Sequence, residues 1–421
     1  MKVTAIKGFS DIVPGEVDLW QSVEQKARDV FAAYNFAEIR IPIVEKTELF
    51  SRTLGETTDI VEKEMYTFAD HDAKGSSLTL RPEGTAGVAR AYVESEMYKI
   101  EPVRKLYYMG PMFRRERPQK GRLRQFHQIG AEALGRGDAL IDAEILLMLN
   151  DFFSAVGLDA VSLLLNSLGC AECRPAYRQS LLTFFKQREE SLCGNCRRRM
   201  ERNPLRVLDC KEPRCSEATK DAPSIIDSLC AACKEHFECV QRLLWQANVK
   251  YSLNPRMVRG LDYYYRTTFE WTSNQLGSQS AVAAGGRYDG LVQELGGPPI
   301  PGVGFAIGIE RLTMLLRLQD SRELPGPAVY VVWVGDKARD WAFPVVHRLR
   351  QKGLAVEIDG DSRSMKSQMR RADKLHASSV LIVGEDELNK GRVLLRNMAN
   401  KEQVEVNLDG IEDELMARKA N

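Results

Sequence analysis

Six arginines or lysines against a single glutamate fill MFRRERPQKGRLRQFH, residues 112–127. A guanidinium grips phosphate with two parallel N–H bonds, which an ammonium cannot do. Arg114 follows apolar Phe113 at the end of an expected strand, where its fork can enter a cleft. The long, basic, proline-bearing loop after it suits the path of a nucleic-acid backbone. A solvated charged hairpin is the plainer alternative. Immediately downstream, LRQFHQIGAEAL sets Phe126, Gln128, Gly130 and Glu132 on one face if extended. That face is either a floor for a small polar ligand or an exposed polar sheet surface. In LRPEGT, Arg81, Glu83 and Thr85 cluster at the turn ending a short strand, and the Glu83 carboxylate can pair with an ammonium group.

MVRGLDYYYRTTFEW, residues 257–271, joins a polar turn to an aromatic, β-branched strand. Gly260 lets the backbone turn tightly and Asp262 can anchor the turn. Tyr263 and Tyr264 are expected to open the strand. Alternation then sends them to opposite faces, one to a pocket and one to packing. Plain strand packing is the competing account of three adjacent tyrosines.

All nine cysteines lie between Cys170 and Cys239. Eight form close pairs: Cys170 with Cys173, Cys193 with Cys196, Cys210 with Cys215, and Cys230 with Cys233. Such spacings are those of zinc knuckles, and four thiolates make one tetrahedral site, so the count allows two structural zinc ions. Free thiols are the alternative, and spacing does not say which pairs would share an ion. Lone Cys239, beside Phe237 and Val240 in a helical pattern, reads as a small buried residue.

These residues need elements to hold them. Val17, Trp20, Val23, Ala27, Val30, Phe31 and Tyr34 recur at helical spacing, with Pro14 near the start. AEIRIPIVEKTELF (37–50) reads as a strand, then Pro42, then more extended chain, so the proline points to an edge or a bulge. Residues 104–134 read as two long strands joined around Pro118–Gly121, and 139–156 as a helix. Strand character returns at 263–271 and 279–284, and GFAIGIERLTMLLRL (304–318) is a strand running into an apolar helix. SRELPGPAV (321–329) reads as a linker, after which strands and helices alternate in a pattern that predicts a small α/β domain with a largely parallel sheet.

The length, 421 residues, exceeds one ordinary domain. Hydrophobic content of 44% and charged content of 28% are globular values. A net charge of +1 gives no global pull toward nucleic acid or membrane, so any basic surface is local. With no signal-like apolar segment and no long apolar run, the expected location is the cytoplasm, without membrane attachment.

GPMFRRERPQKGRLRQFHQIGAE resembles the second signature motif of class II aminoacyl-tRNA synthetases, GFAIGIERL their third, and EIRIPIVEKTELF their first. LRPEGT is similar to a segment of the same family, and VRGLDYYYRTTFEW and AAGGRYDGL resemble two signatures of its histidyl-tRNA synthetase branch. The resemblance covers nearly the whole chain. It implies an α+β catalytic core over residues 1–325, an antiparallel six- or seven-stranded sheet flanked by helices, with the cysteine-rich insertion at about 170–245. An α/β anticodon-binding domain would follow over 326–421. It also implies a homodimer with the segment around Pro42 at the interface. The reaction implied is activation of L-histidine by ATP, with Mg²⁺ bridging the phosphates, then transfer to the 3′ end of tRNA-His.

Family resemblance further assigns roles. Arg114 and Arg259 would flank the α-phosphate as the catalytic pair, with Arg122 and Arg311 also binding ATP. Glu83, Gly84, Thr85, Gln128, Glu132, Tyr263, Tyr264 and Tyr288 would form the histidine site. There Glu132 would accept from the imidazole N–H, and Tyr264 or Gln128 would donate to the other ring nitrogen. Glu83 and Gln128 would bind the α-amino end, and Gln119 and Lys120 would meet the acceptor end of the tRNA. The competing reading is a non-catalytic relative, the regulatory subunit of ATP phosphoribosyltransferase. That relative characteristically lacks the anticodon-binding domain, whereas this chain has one and keeps Glu83, Arg114, Arg259 and Arg311 together.

Overall fold

The computed structural model describes residues 3–55, 58–70, 72, 75–258, 261, 263–319, 326–360 and 364–419. Trp20, Val23, Ala27 and Phe31 form the buried stripe of the helix Val17–Ala33, spaced as a 3.6-residue period requires. After it come β1 (Ala37–Glu38), β2 (Val44–Lys46), β3 (Tyr66–Ala69) and β4 (Ser77–Leu80). Next are β5 (Arg104–Phe113), β6 (Gln125–Leu134), β7 (Ser162–Ser167), β8 (Tyr251–Leu253), β9 (Tyr265–Thr272), β10 (Ala281–Arg287) and β11 (Gly302–Gly308).

Eight of these strands form one sheet in the order β1-β5-β6-β11-β10-β9-β7-β8. The six inner strands, β5 to β7 in that order, pair antiparallel. The short edge strands β1 and β8 join them in parallel. The antiparallel six-stranded core is thus the expected one, extended by two edge strands too short to stand out in the sequence. Pro42 lies between β1 and β2, and β2 is itself an edge strand of a second sheet, β2-β4-β3. A missing backbone donor costs nothing there.

The helix Ala139–Ala155 starts at Asp138, whose carboxylate accepts from Leu140 N at 3.0 Å and Ile141 N at 3.3 Å. It buries Ile141, Ile145, Leu149 and Phe152 in the main core with Phe269, Phe305 and Leu312. Phe237, Val240 and Leu244 of the helix Ala231–Gln246 join the same core, so this helix packs as part of the main body. Between Cys173 and Ile225 a smaller cluster forms around Tyr177, Leu181, Phe185 and Val207.

The chain divides into two units, Met1–Asp320 and Ser321–Asn421. In the second, β12 (Val329–Val334), β13 (Val356–Ile358) and β14 (Ser379–Gly384) pair in parallel. β15 (Arg392–Asn397) and β16 (Gln403–Asn407) close the sheet antiparallel. Its core includes Val331, Trp333, Val346, Leu381 and Leu395. Among the described residues no helix is long and apolar enough to cross a membrane.

Candidate active site and cysteine clusters

One face of the large sheet carries a cavity of about 390 Å³. β6 supplies Phe126 and Gln128, β9 Glu270, β10 Ala281–Ala284, and β11 Gly304 and Ala306. Glu83, Thr85, Tyr263, Tyr264 and Tyr288 close one end. Arg114, Arg122 and Arg311 close the other, with Glu116 and Glu310.

At the first end Glu83 precedes the helix Thr85–Glu94 and accepts from Thr85 N and Ala86 N, each at 2.8 Å. The carboxylate therefore caps the helix while facing the cavity. Burial pushes its pKa up, and those N–H groups with Arg114 oppose the rise. Glu132 lies deeper, beneath Gly304, whose own Cβ would collide with the carboxylate. Glu132 accepts from the Thr85 hydroxyl at 2.7 Å and the Tyr288 hydroxyl at 2.5 Å, with the Tyr108 hydroxyl 3.5 Å away. Burial pushes its pKa to about 8 despite those bonds. The Tyr108 ring occupies the space that Cβ atoms at Gly84 and Gly130 would need. Among the described residues Gln128 Oε1 is buried without a hydrogen-bond partner, although Gln128 lines the cavity. A buried acceptor left without a donor is costly unless a ligand supplies one.

At the other end Arg114 donates to Pro82 O at 2.8 Å and lies 5.2 Å over the Phe126 ring. Arg311 donates to Gly121 O at 3.0 Å and Ala281 O at 2.8 Å. Arg122 pairs with Glu116. Burial, then the charges of Arg122 and Arg114, pull the Arg311 pKa down. Burial lowers that of Arg122 as well, with Arg114 adding to the fall. Three guanidiniums that repel one another on one wall are what a polyanion would relieve. Gln119 and Arg122 exchange backbone bonds of 3.0 and 2.9 Å, leaving Gln119 and Lys120 exposed at the loop tip.

The structure thus gathers Glu83, Thr85, Gln128, Tyr263, Tyr264, Tyr288, Arg114, Arg122 and Arg311 on one cavity. Glu132 and Gly84 stand behind its wall. Arg259, Gly260 and Asp262 lie outside the described residues. Tyr263 and Tyr264 correct the alternation argument. β9 begins only at Tyr265, so neither tyrosine is in the strand, and both rings face the cavity 4.8 Å apart. Sequence reading passed over Glu116, Glu270 and Glu310. The signal for Glu270 was a lone carboxylate inside the otherwise apolar and β-branched run TTFEW. For Glu310 it was its position directly before Arg311.

The eight paired cysteines resolve into two tetrads. Cys170, Cys173, Cys230 and Cys233 form an outer one; Cys193, Cys196, Cys210 and Cys215 form an inner one nested between them in sequence. Within each, all sulfurs lie within 4.8 Å of one another. Backbone N–H groups point at them: Cys230 N to Cys173 Sγ and Cys193 N to Cys215 Sγ, both at 3.1 Å. Cys239 is separate and half-buried against the main core, its sulfur accepting from Arg242 at 3.3 Å.

The histidyl-tRNA synthetase family model matches residues 8–312, and that of the anticodon-binding domain matches residues 328–418. The second match covers the part that the regulatory relative characteristically lacks. A histidine–tRNA ligase of Syntrophotalea carbinolica is 55% identical over 418 residues, 99% of each chain. That of Geobacter sulfurreducens is 56% identical over 407 residues, 96% of this chain and 97% of its own. The crystal structure of apo histidyl-tRNA synthetase from S. aureus superposes with a TM-score of 0.81 at 34% identity, covering 98% of this chain and all of its own. With catalytic and anticodon-binding regions both matched and identity above half along nearly its full length, the chain belongs to the histidyl-tRNA synthetase family.

Proposed function

We infer that the cavity activates L-histidine with ATP and that the chain transfers the histidyl group to tRNA-His. The observation that carries this reading is the pairing within one cavity of a carboxylate and amide end with a triple-arginine end. The first suits an amino acid's ammonium group and side chain, the second a triphosphate.

In the first step a histidine carboxylate oxygen forms a bond to the α-phosphorus while the bond to the bridging oxygen of pyrophosphate breaks. No protein nucleophile is needed; positioning and charge neutralisation are. Arg114 faces the α-phosphate, with Arg259 as its opposite partner, and Arg311 and Arg122 hold the rest of ATP. Carboxylates Glu270 and Glu310 on the same cavity are oxygen donors of the kind that fit a hard divalent cation. Mg²⁺ bound with ATP would neutralise phosphate charge there. In the second step the ribose hydroxyl at the tRNA 3′ end attacks the acyl carbon and AMP leaves.

Glu83 and Gln128 Oε1, which has no partner among the described residues, take the α-ammonium, Gln128 as acceptor. That assigns the imidazole to Glu132 as acceptor of its N–H and to Tyr264 as donor to the other nitrogen. Thr85 and Tyr288 hold the Glu132 carboxylate in place. A side chain lacking that donor and acceptor pair would strand buried polar groups, which can discriminate by about 10⁴-fold.

The loop tip at Gln119 and Lys120 would meet the tRNA acceptor end, and the second unit the anticodon. Ile43, Val44 and Phe68 are 43%, 40% and 46% exposed around Pro42, which supports this segment as the contact between two copies. The two tetrads suit zinc, four thiolates each, in a region whose own core is small. The cytoplasm is the proposed compartment. Histidine-dependent exchange of labelled pyrophosphate into ATP tests the reading; exchange indifferent to histidine would overturn it.

A further inference from the structure

The outer tetrad does not sit out in the insertion. It packs on Tyr265, the residue that follows cavity-lining Tyr264. Cys170 Sγ is 3.6 Å from Cys173 Sγ and 3.8 Å from Cys230 Sγ, and the cluster packs on Tyr265. Two backbone bonds lace its leading edge to β9: Arg266 N to Gly169 O at 2.9 Å, and Leu168 N to Arg266 O at 2.7 Å. Arg266 has φ +49°, a left-handed conformation that a non-glycine residue keeps only where its surroundings hold it. Its guanidinium lies 5.5 Å over the Tyr265 ring, beside the Cys233 thiol. Its Nε is buried and unpartnered among the described residues.

Arg174, next to Cys173, works from the other side. It donates to Leu168 O at 3.1 Å and to the Tyr264 carbonyl. Four thiolates around a divalent ion carry a net charge of −2, which the Arg266 guanidinium complements at a loaded centre. The inner tetrad packs instead with the small cluster of the insertion, beside Met200, Val207 and Leu208.

We propose that a divalent zinc in the outer tetrad anchors the histidine pocket, and that Arg266 is the positioning residue that ties it to Tyr265, the residue next to cavity-lining Tyr264. This rests on the reading of the tetrads as zinc sites. Occupancy of the outer tetrad then governs histidine affinity far more than ATP affinity, because Tyr264 faces the histidine end of the cavity.

The test uses the full chain purified without chelator, with zinc counted by metal analysis and KM measured for histidine and for ATP in pyrophosphate exchange. Arg266→Gln keeps all eight thiols. It is expected to retain both zinc ions, raise histidine KM about tenfold, and leave ATP KM within about twofold, the size of effect that loss of one buried charged contact produces. Arg266→Lys, which keeps the charge but not the fork, should recover part of the affinity. Cys230→Ser should drop zinc from two per chain to one and raise histidine KM likewise. Should that variant fail to fold, Arg266→Gln alone decides. Two zinc ions per chain with histidine KM unmoved by Arg266→Gln would overturn the coupling and leave the zinc reading intact. Equal losses for histidine and ATP would make Arg266 a support of the fold. Less than one zinc per chain in the parent protein would defeat the zinc reading and the proposal with it.

Discussion

The catalytic cavity and the cysteine insertion hold their polar groups in opposite ways. In the cavity three charged groups are each fixed by neighbours. Glu83 is pinned by two helix N–H groups, Glu132 by two hydroxyls, and Arg311 by two carbonyls from separate segments. Antiparallel strands behind them supply the stiffness, so the geometry exists before any ligand arrives. In the insertion, between the short helices Gly194–Arg202 and Pro213–Ala218, the buried cluster itself counts Cys196 and Cys215 among its members. With zinc held as proposed, its order would depend on the thiols. Preorganisation thus comes from the sheet in one region, and in the other it would come from the zinc proposed above.

That contrast can be broken most severely at the phosphate end. Arg114→Ala should slow pyrophosphate exchange by about 10²–10³-fold, and Arg259→Ala likewise, since one preorganised contact to developing charge is worth about 3–4 kcal/mol. Histidine binding should stay nearly intact in both. Near-normal exchange rates would mean the arginines merely pack.

Next in size is the ligand-dependent region. Cys215→Ser should remove one zinc and open the insertion to protease, costing about 2–4 kcal/mol of local stability if the ion supplies the missing core. Limited proteolysis with mass spectrometry reads the outcome, and cleavage unchanged from the parent would show that the insertion stands without metal.

Glu132 sharpens the comparison from the other side, because its cavity pays for rigidity with a buried carboxyl. Its pKa is about 8 when folded, against an ordinary carboxylate value of about 4.3 unfolded. Between those values the folded state keeps a proton that the unfolded chain has lost. Stability therefore falls as pH rises through this window, by at most about 1.4 kcal/mol per pH unit from this one group. Glu132→Gln cannot ionise, so denaturant midpoints of variant and parent from pH 5 to 8 should converge at the acid end and separate toward pH 8 in favour of the variant. Parallel curves would place the carboxyl in water. Glu132→Ala should weaken histidine binding more than ATP binding in equilibrium titration.

The smallest effect belongs to the scaffold shared by neither site. Asp138→Ala removes the cap of the helix Ala139–Ala155 and should lower stability by about 1 kcal/mol with kinetics unchanged. A shift in histidine KM would tie that helix to the cavity, by way of the buried Asp142, which holds Arg287 beside Tyr288.

Much of the fold could be read from the chain because its long elements repeat at their own period. Trp20 to Phe31 marks a helix, and residues 104–134 mark a hairpin whose strands pair from Arg104 with Leu134 to Phe113 with Gln125. β1 and β8, with two and three residues, have no period to detect. The same holds at the site. Gln128 and Glu132 stand out as polar residues on a strand and Arg114 directly after one, whereas Glu270 needs its neighbours β10 and β7 before its isolation on the sheet is visible. Tyr263 and Tyr264 misled because alternation presumes a strand, and the left-handed turn at Arg266 sits where the lacing to Gly169 forces the backbone, which no local pattern announces.

By itself the sequence determined the residue types at fixed spacing: a helix period, an alternating strand, cysteine pairs set by two or four intervening residues. All of these are decided within one or two turns of chain. Tertiary structure alone decided which cysteine pairs meet, because Cys173 and Cys230 are 57 residues apart and come together only when β7 and β9 pair and the helix Ala231–Gln246 enters the core. It likewise decided that Arg311 would rest on Gly121, a contact spanning 190 residues. Separations of that length are closed by packing of the whole sheet, and the chain between them carries no local trace of the partner it will find.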